Sequence, residues 1–387
     1  MERNSHIINV VAIAGMCIAL SSYTTVFASA KDENIFTKTG NLKGGFIVHV
    51  GCGDGTLIAA LGNNKQYVIQ GLEKDHEQVE RARHTVRATG AYGRLSIKHW
   101  QGRRLPFAEN QVNLLIIDDG DTGLLASEIK RVLTPRGRAV VHKDCQIAAL
   151  DTEPVSAEYS SYIKPVPEEI DDWPHYLYGA DNNAVSRDQA VGPPQRIQWV
   201  CGPAYARSHE INSSMAAMVA AGGRIFYIWD EGPVGQPEKR FPSQWSLIAR
   251  DGFNGVLLWK LPMPDWGWRQ WHVESRWDNP RERASMLRQL PRTTTRRLVA
   301  AGQELYVTLG YEAPVSVLYA ASGQLLHVLE GTEGTDEILL DSETLFLCVR
   351  DTDRTHTAPG RDFRLSQNNG GIVAVDPQNG RILWKSE

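Results

Sequence analysis

Cysteine is scarce in this chain, and what there is lacks the pattern of a metal site. Five cysteines are spread over 387 residues, with no C-x-x-C pair and no Cys/His spacing of the kind that builds a zinc site. No metal is therefore expected. Cys17 follows Met16 where a lipoprotein signal would place a small residue, so lipid attachment is excluded. Charge of one sign is lacking too. The formal net charge is −4 and no run of five or more like charges occurs, which leaves no basic face for nucleic acid. Long apolar runs are also missing: the uncharged stretch at residues 7–20 is shorter than the roughly 20 residues a helix needs to cross a bilayer. The mature chain is expected to have no transmembrane span.

That short apolar stretch follows Arg3 and ends near Ala28-Ser29-Ala30, a small-x-small cleavage site. Residues 1–30 read as a signal peptide, with an uncleaved anchor as the alternative, and the protein is expected in the periplasm or outside the cell. Export permits disulfides. The simpler reading of Cys52, Cys145, Cys201 and Cys348 is four buried thiols. Ten of the eleven tryptophans lie at or after Trp173, which divides the chain into two differently built parts.

The first part, residues 31–150, alternates strands and helices. Phe46-Ile47-Val48-His49-Val50 is an apolar, β-branched run and reads as a buried strand. It leads into Gly51-Cys52-Gly53-Asp54-Gly55 and a helical stretch at residues 56–61. A strand, glycine turn and helix in that order bring backbone N–H groups close to a bound cofactor. Residues 67–72 form a second strand ending at Glu73, about twenty residues on, where a carboxylate can accept hydrogen bonds from ribose hydroxyls. A helix at 76–89, a third strand at 112–117, a short helix at 128–133 and a strand at 138–142 follow. The alternation predicts a Rossmann-like, doubly wound α/β sheet.

Val48-His49-Val50-Gly51-Cys52-Gly53-Asp54-Gly55-Thr56-Leu57 resembles the first motif of class I S-adenosylmethionine (SAM)-dependent methyltransferases. Gly71-Leu72-Glu73-Lys74-Asp75 resembles the segment carrying that family's ribose-binding acid. Leu105-Pro106-Phe107 and Arg131-Val132-Leu133-Thr134-Pro135-Arg136-Gly137 resemble its later landmarks. The resemblance implies SAM as cofactor, held by Gly51, Gly53, Gly55 and Glu73, with Gln101 at the family's adenine-contacting position. Three departures stand out. His49 replaces an acid, Gln101 replaces an Asp, and Asn113 stands where an Asp often begins the fourth strand. Sixth and seventh strands are not apparent. Methyl transfer needs alignment more than a base, so no catalytic residue is assigned. Asp118, Asp119 and His142 lie near strand ends and are read as solvated loop residues. Export would also separate the domain from cytosolic SAM, which favours an alternative in which the fold is retained with an empty pocket.

Residues 151–172, with Pro154, Pro165 and Pro167, read as a linker. Residues 173–387 are strand-rich and repetitive. The repeat is a strand followed by Ala-x-Asp-x-x-x-Gly-x-x-x-Trp. It is complete from Ala249 through Asp251 and Gly255 to Trp259, and again from Ala374 through Asp376 and Gly380 to Trp384. A degraded copy keeps Gly323 but has Tyr319 and His327 in place of Asp and Trp. Gly allows a tight turn between two strands, and the Trp covers the joint between neighbouring units. The pattern resembles the tryptophan-docking motif of pyrroloquinoline quinone (PQQ)-type β-propellers, which makes the tryptophans structural. PQQ itself is not expected. There is no adjacent cysteine pair, no Glu/Asn/Asp calcium set can be assigned, and Ser208-His209-Glu210 and Asp230-Glu231 read as turns. The Trp- and Arg-rich stretch at 263–292 is either a binding surface or an insertion packed on the propeller.

With Trp173-Pro174-His175-Tyr176 included, the whole chain resembles exported fusions of a methyltransferase-like domain and a quinoprotein-like propeller. Only three motif copies are readable, so the propeller is expected to be incomplete and to self-associate through its open edges. The leading functional expectation is a SAM-binding protein whose propeller binds a protein or small-molecule partner. A non-catalytic exported scaffold is the rival, and a quinoprotein oxidoreductase is the third reading. Protein recovered from its native host is expected to begin at Lys31 and to fractionate outside the cytoplasm. Amino-terminal sequencing that finds Met1 on a cytoplasmic product would reject export.

Overall fold

A computed structural model of the chain describes residues 42–194, 197–202, 214–233, 243–267, 270, 290–350 and 370–386. Residues 1–30, expected to be a signal peptide, Ser208-His209-Glu210 and most of the stretch at 263–292 lie outside the described residues.

The first part contains strands β1 (Gly45–Val50), β2 (Tyr67–Glu73), β3 (Leu95–His99), β4 (Val112–Ile117) and β5 (Leu133–His142). Helices α1 (Thr56–Leu61), α2 (His76–Ala88) and α3 (Ala126–Val132) lie between them. Strands β1 to β5 are mutually parallel where they pair. Alternate residues of the apolar strands point to opposite faces, and both faces are covered. Ile47, Ile69 and Ile116 pack with Ile58 of α1 and with Val79, Ala82 and Val86 of α2. Val48, Leu115 and Ile117 pack with Ala126, Ile129 and Val132 of α3 on the other side. The doubly wound sheet expected from the sequence is present. Asp75 caps α2 by accepting a hydrogen bond from the backbone N–H of Gln78 at 2.9 Å, the usual role of Asp at a helix start.

Two strand assignments need correction. Strand β3, absent from the sequence reading, is an edge strand in which only Leu95 and Ile97 are buried, too short an apolar pattern to stand out. The stretch read as a linker supplies two further strands, β6 (Glu153–Pro154) and β7 (Tyr159–Ile163). Strand β7 runs antiparallel to β5, from Arg138 opposite Ile163 to His142 opposite Tyr159. Its sequence Tyr-Ser-Ser-Tyr-Ile buries only Ser161, so it carries no apolar run, and the surrounding prolines suggested a connector. The sheet order is β3-β2-β1-β4-β5-β7-β6. It reverses at β1, which opens a crevice at the carboxyl ends of β1 and β4.

Among the described residues, the second part forms three antiparallel meanders of four strands each. They are β8 (Met215–Ala221) to β11 (Leu257–Pro262) with β9 (Arg224–Asp230) and β10 (Trp245–Asp251), then β12 (Leu298–Ala301) to β15 (Leu325–Leu329) with β13 (Glu304–Thr308) and β14 (Val315–Tyr319), and last β16 (Thr335–Asp341) to β19 (Ile382–Lys385) with β17 (Thr344–Val349) and β18 (Gly371–Val375). The repeat falls on the third and fourth strands of each sheet. Its glycines, Gly255, Gly323 and Gly380, all have φ of 73°, a conformation that favours glycine. Their N–H groups donate to the carbonyls of Asp251, Tyr319 and Asp376 at 2.8–2.9 Å. These backbone bonds are common to all three turns, including the degraded copy with Tyr319, while Asp251 and Asp376 add side-chain acceptors in the two complete copies.

The sheets dock in a repeating way. Trp259 Nε1 donates to the carbonyl of Ala320 in the next sheet at 2.9 Å, and His327 Nε2 lies 2.9 Å from the carbonyl of Pro377 in the third. Each acceptor stands three positions before the motif glycine. A Cβ on Gly323 would come within 2.7 Å of the Trp259 ring, so the ring lies flat where a side chain is missing. Trp384 of the last sheet is 48% exposed.

The two parts meet at Asn113. Its Nδ2 donates to Asp251 Oδ2 at 2.8 Å, and its Oδ1 accepts from the Phe46 N–H at 2.7 Å and from Asn254 Nδ2 at 2.8 Å. Asp251 is 7% exposed. Asn113→Ala is expected to cost about 1–3 kcal/mol for each buried group left unpaired, seen as a lower denaturation midpoint. Asn113→Asp, which sets a second carboxylate beside Asp251, is expected to cost at least as much. An unchanged midpoint for both would show that the joint contributes no stability.

Candidate functional site

The crevice at the ends of β1 and β4 contains the glycine turn. Gly51, Gly53 and Gly55 have φ of 75°, 54° and 80°, and each serves a different need. A Cβ on Gly51 would lie 2.7 Å from Cβ of Asp119 and 2.8 Å from its backbone nitrogen, so this glycine lets the segment after β4 pass. A Cβ on Gly55 would lie 3.0 Å from Ala82, where the turn packs on α2. At Gly53 a Cβ would meet nothing within 4 Å. Two of the three glycines are thus accounted for by packing within the chain, and the third faces open space.

Glu73 is 7% exposed and ties the turn to the end of β2. Its Oε2 accepts from the Gly53 N–H at 2.8 Å, and its Oε1 accepts from the N–H groups of Lys74 at 2.9 Å and Asp75 at 3.3 Å. Beside it lies a cavity of about 230 Å³ lined by Val50, Gly51, Lys74, Trp100, Gln101 and Asp119 among others. Of the residues expected from the sequence, Gly51 and Gln101 line this cavity, while Gly53 and Gly55, within the turn, and Glu73, which grips it, do not line the cavity. Gln101 is exposed and donates through Nε2 to the Lys74 carbonyl at 3.3 Å, which leaves its side-chain oxygen for a ligand.

Sequence reasoning did not single out Lys74, although it directly follows Glu73, and read Asp119 as a solvated loop residue. Lys74 Nζ lies 3.0 Å from Asp119 Oδ2, so an ion pair joins two residues of the cavity wall. The hydrogen bond to Asp119 holds the Lys74 ammonium above its ordinary range. His49, which replaces the family's acid, is 3% exposed, and its Nε2 lies 2.8 Å from Asp118 Oδ2. Asp118 follows β4, so a carboxylate reaches this position from the neighbouring strand. His142 lies apart on β5, with Nδ1 accepting from the Asp144 N–H at 3.3 Å and its ring edge-on to Tyr159.

The thiols differ from expectation. Cys52 and Cys145 are buried, but Cys201 is exposed and Cys348 half-buried. Burial first, and the charge of Glu73 second, push the Cys52 thiol up to about 12. Burial, with Asp118 next, pushes Cys145 up to about 11. Neither is poised as a nucleophile. No group of three or more His, Cys, Asp or Glu side chains able to hold a metal occurs among the described residues.

Residues 47–137 match the model of a family described as a methyltransferase domain, and the chain carries such a domain there. No curated protein matches the chain. Similar solved structures include a candidate SAM-dependent methyltransferase from Methanococcus maripaludis, 17% identical over 36% of this chain and 86% of that one with a TM-score of 0.31. A SAM-dependent methyltransferase from Aquifex aeolicus is 14% identical over 34% of this chain and 87% of that one, with a TM-score of 0.29. Geranyl diphosphate C-methyltransferase from Streptomyces coelicolor A3(2) is 18% identical over 29% of this chain, with a TM-score of 0.27, and this chain spans only 44% of its length.

The thiol environments make a direct prediction. At pH 8 a thiol with a pKa of about 12 is thiolate in only about one molecule in ten thousand. Iodoacetamide is expected to alkylate Cys201 and to leave Cys52 intact in the folded protein. Mass spectrometry that finds Cys52 labelled as fast as Cys201 would contradict its burial.

Proposed function

We propose that the methyltransferase domain binds SAM at the turn formed by Gly51, Gly53 and Gly55, and that the three antiparallel sheets belong to a PQQ-type propeller that holds a methyl acceptor or a partner. The observation that carries the cofactor assignment is Gly53. It is the one glycine of the three whose missing side chain is matched by open space rather than by the chain itself. The residues around it suit the group. Gln101 offers an oxygen to an adenine amine, Asp119 offers a carboxylate beside the cavity, and Glu73 retains limited capacity. A carboxylate has roughly four acceptor sites, and three backbone N–H groups already use Glu73, so about one ribose hydroxyl can be received. When bound, SAM supplies an electrophilic methyl group on a sulfonium. The chain's own task is to align donor and acceptor and to exclude water. The propeller reading is supported by four-stranded units repeated three times and by their shared docking through Trp259 and His327.

A non-catalytic scaffold is the second reading, and two observations favour it. Glu73 is largely occupied by backbone donors, and the cavity of about 230 Å³ is smaller than the roughly 300–1,000 Å³ of small-molecule pockets.

Calorimetry with SAM, S-adenosylhomocysteine and PQQ separates these readings. SAM and S-adenosylhomocysteine are expected to bind and PQQ is not. Gly53→Val is expected to abolish SAM binding. Glu73→Ala is expected to weaken it by roughly 1.5–3 kcal/mol, the worth of a hydrogen bond to a charged group. Absence of heat with either adenosyl ligand would leave the scaffold reading standing, and unchanged affinity in both variants would reject this pocket.

A further inference from the structure

A second cavity, of about 430 Å³, lies where the methyltransferase domain meets the first antiparallel sheet. It is larger than the one beside the glycine turn and lies within the usual range for small-molecule ligands. Three cationic side chains line it, Lys43 and Arg136 from the first part and Arg224 from the start of β9. The facing carboxylate is Asp251, whose oxygens already accept from Asn113 and from the N–H groups of Phe253 and Asn254. Asp172, outside the lining, receives the Gly222 N–H at 3.0 Å. Positive charge therefore exceeds negative charge on the cavity wall.

The two guanidinium groups both approach Gly222. Arg136 Nη1 and Arg224 Nη1 lie 3.2 Å and 3.3 Å from a single point, the place a Cβ would occupy on Gly222, with the Gly302 carbonyl 3.4 Å from the same point. Like charges so close repel unless something neutralises them. The facing Asp251 carboxylate acts on Arg224 without a salt bridge to it. Arg224 Nη1 is buried with no hydrogen-bond partner, and among the described residues neither guanidinium forms an ion pair within 4 Å. Burial lowers the Arg224 guanidinium below its ordinary range and the Arg136 charge adds to this, against the opposing influence of Tyr319 and Asp251. A buried, unpaired arginine donor next to a second arginine is costly and is the arrangement that a planar, bidentate anion contact would satisfy. Leu258 and Phe253 supply apolar wall, and Tyr319 supplies a hydroxyl.

We propose that this cavity is a binding site for a small dianionic oxyanion, phosphate or sulfate, either free or carried on a small organic group, with Arg136 and Arg224 as its charged ligands. The site does not depend on the SAM assignment and shares no lining residue with the cavity beside the glycine turn. Because its two arginines come from different parts of the chain, the ligand would cross-link the parts and stabilise their joint.

The test uses the full purified chain, titrated with sodium phosphate, sodium sulfate and phenyl phosphate at constant ionic strength against sodium chloride, and read by calorimetry and by melting temperature. A saturable heat and a rise in melting temperature with any of the three oxyanions, absent with chloride, are expected. Phenyl phosphate binding more tightly than phosphate assigns an organic ester, and equal affinities assign the free ion. Arg136→Gln and Arg224→Gln are each expected to weaken binding at least about tenfold, the loss of one charge-assisted contact. Arg136 is exposed, so its variant keeps the test valid if the Arg224 variant folds poorly. No saturable response in the wild type, or undiminished affinity in Arg136→Gln, would overturn the site.

Discussion

The carboxylate of Asp251 is the point on which the two parts of the molecule depend. As the acid of the repeat, it closes its own turn by accepting from the N–H groups of Phe253 and Asn254 at 2.9 Å and 3.0 Å. Its other oxygen accepts from Asn113 of the first sheet. Burial pushes this carboxyl above its ordinary range, against the pull of Asn113 first and then of the backbone donors. A carboxyl raised in the folded state favours folding through its protonated form. The contribution of Asp251 to stability therefore increases as pH falls from its raised value toward the ordinary carboxylate range. Above that window the ionised group is a burden that the hydrogen bonds offset. The same group explains Asn113. An amide can donate to Asp251 and accept from Phe46 and Asn254 at once, whereas the carboxylate often found there in the methyltransferase family could only accept.

A second constraint is the unpaired edge of a β-sheet, whose backbone groups must find partners. Strands β8, β12 and β16 each lie at one edge of their sheets, and one short segment serves all three. Trp173 exchanges N–H and carbonyl bonds with Ala220 at 2.8 Å, and the Pro174 carbonyl accepts from the Ala300 N–H at 3.0 Å. His175 Nε2 then accepts from the Leu340 N–H at 3.0 Å. The His175 ring is held below its ordinary range by burial, which favours the neutral form that can accept this bond. Trp199 extends the docking series at the other end, with Nε1 donating to the Gly252 carbonyl at 3.0 Å and its ring against Gly255.

The glycine turn has a structural role beside the ligand-binding one proposed for it. Gly51 and Gly55 let Asp119 and α2 approach, and Glu73 grips the turn through the Gly53 N–H. A carboxylate that holds the turn in shape is partly spent on that task, and this limits what it can offer a ribose. His49 and Asp118 show a related substitution. The acid missing from β1 is supplied by the residue after β4, which only the parallel pairing of those two strands brings within 2.8 Å.

The local patterns were legible in the sequence. The β-branched runs, the three glycines, Glu73 at its interval and the Asp–Gly–Trp repeat follow from backbone conformational limits and from the two-residue period of buried strands. Strands β3 and β7 were not legible, because β3, at the sheet edge, buries only Leu95 and Ile97, and β7 buries only Ser161, so neither leaves an apolar run. Neither were the Lys74–Asp119 pair, the Asn113–Asp251 bond or the approach of Arg136 and Arg224 to Gly222, whose partners are separated by tens of residues. Distances of that kind are set by which strands pair and which sheets pack. The residue types are encoded one by one along the chain, but only the tertiary structure decides which charges come to lie side by side.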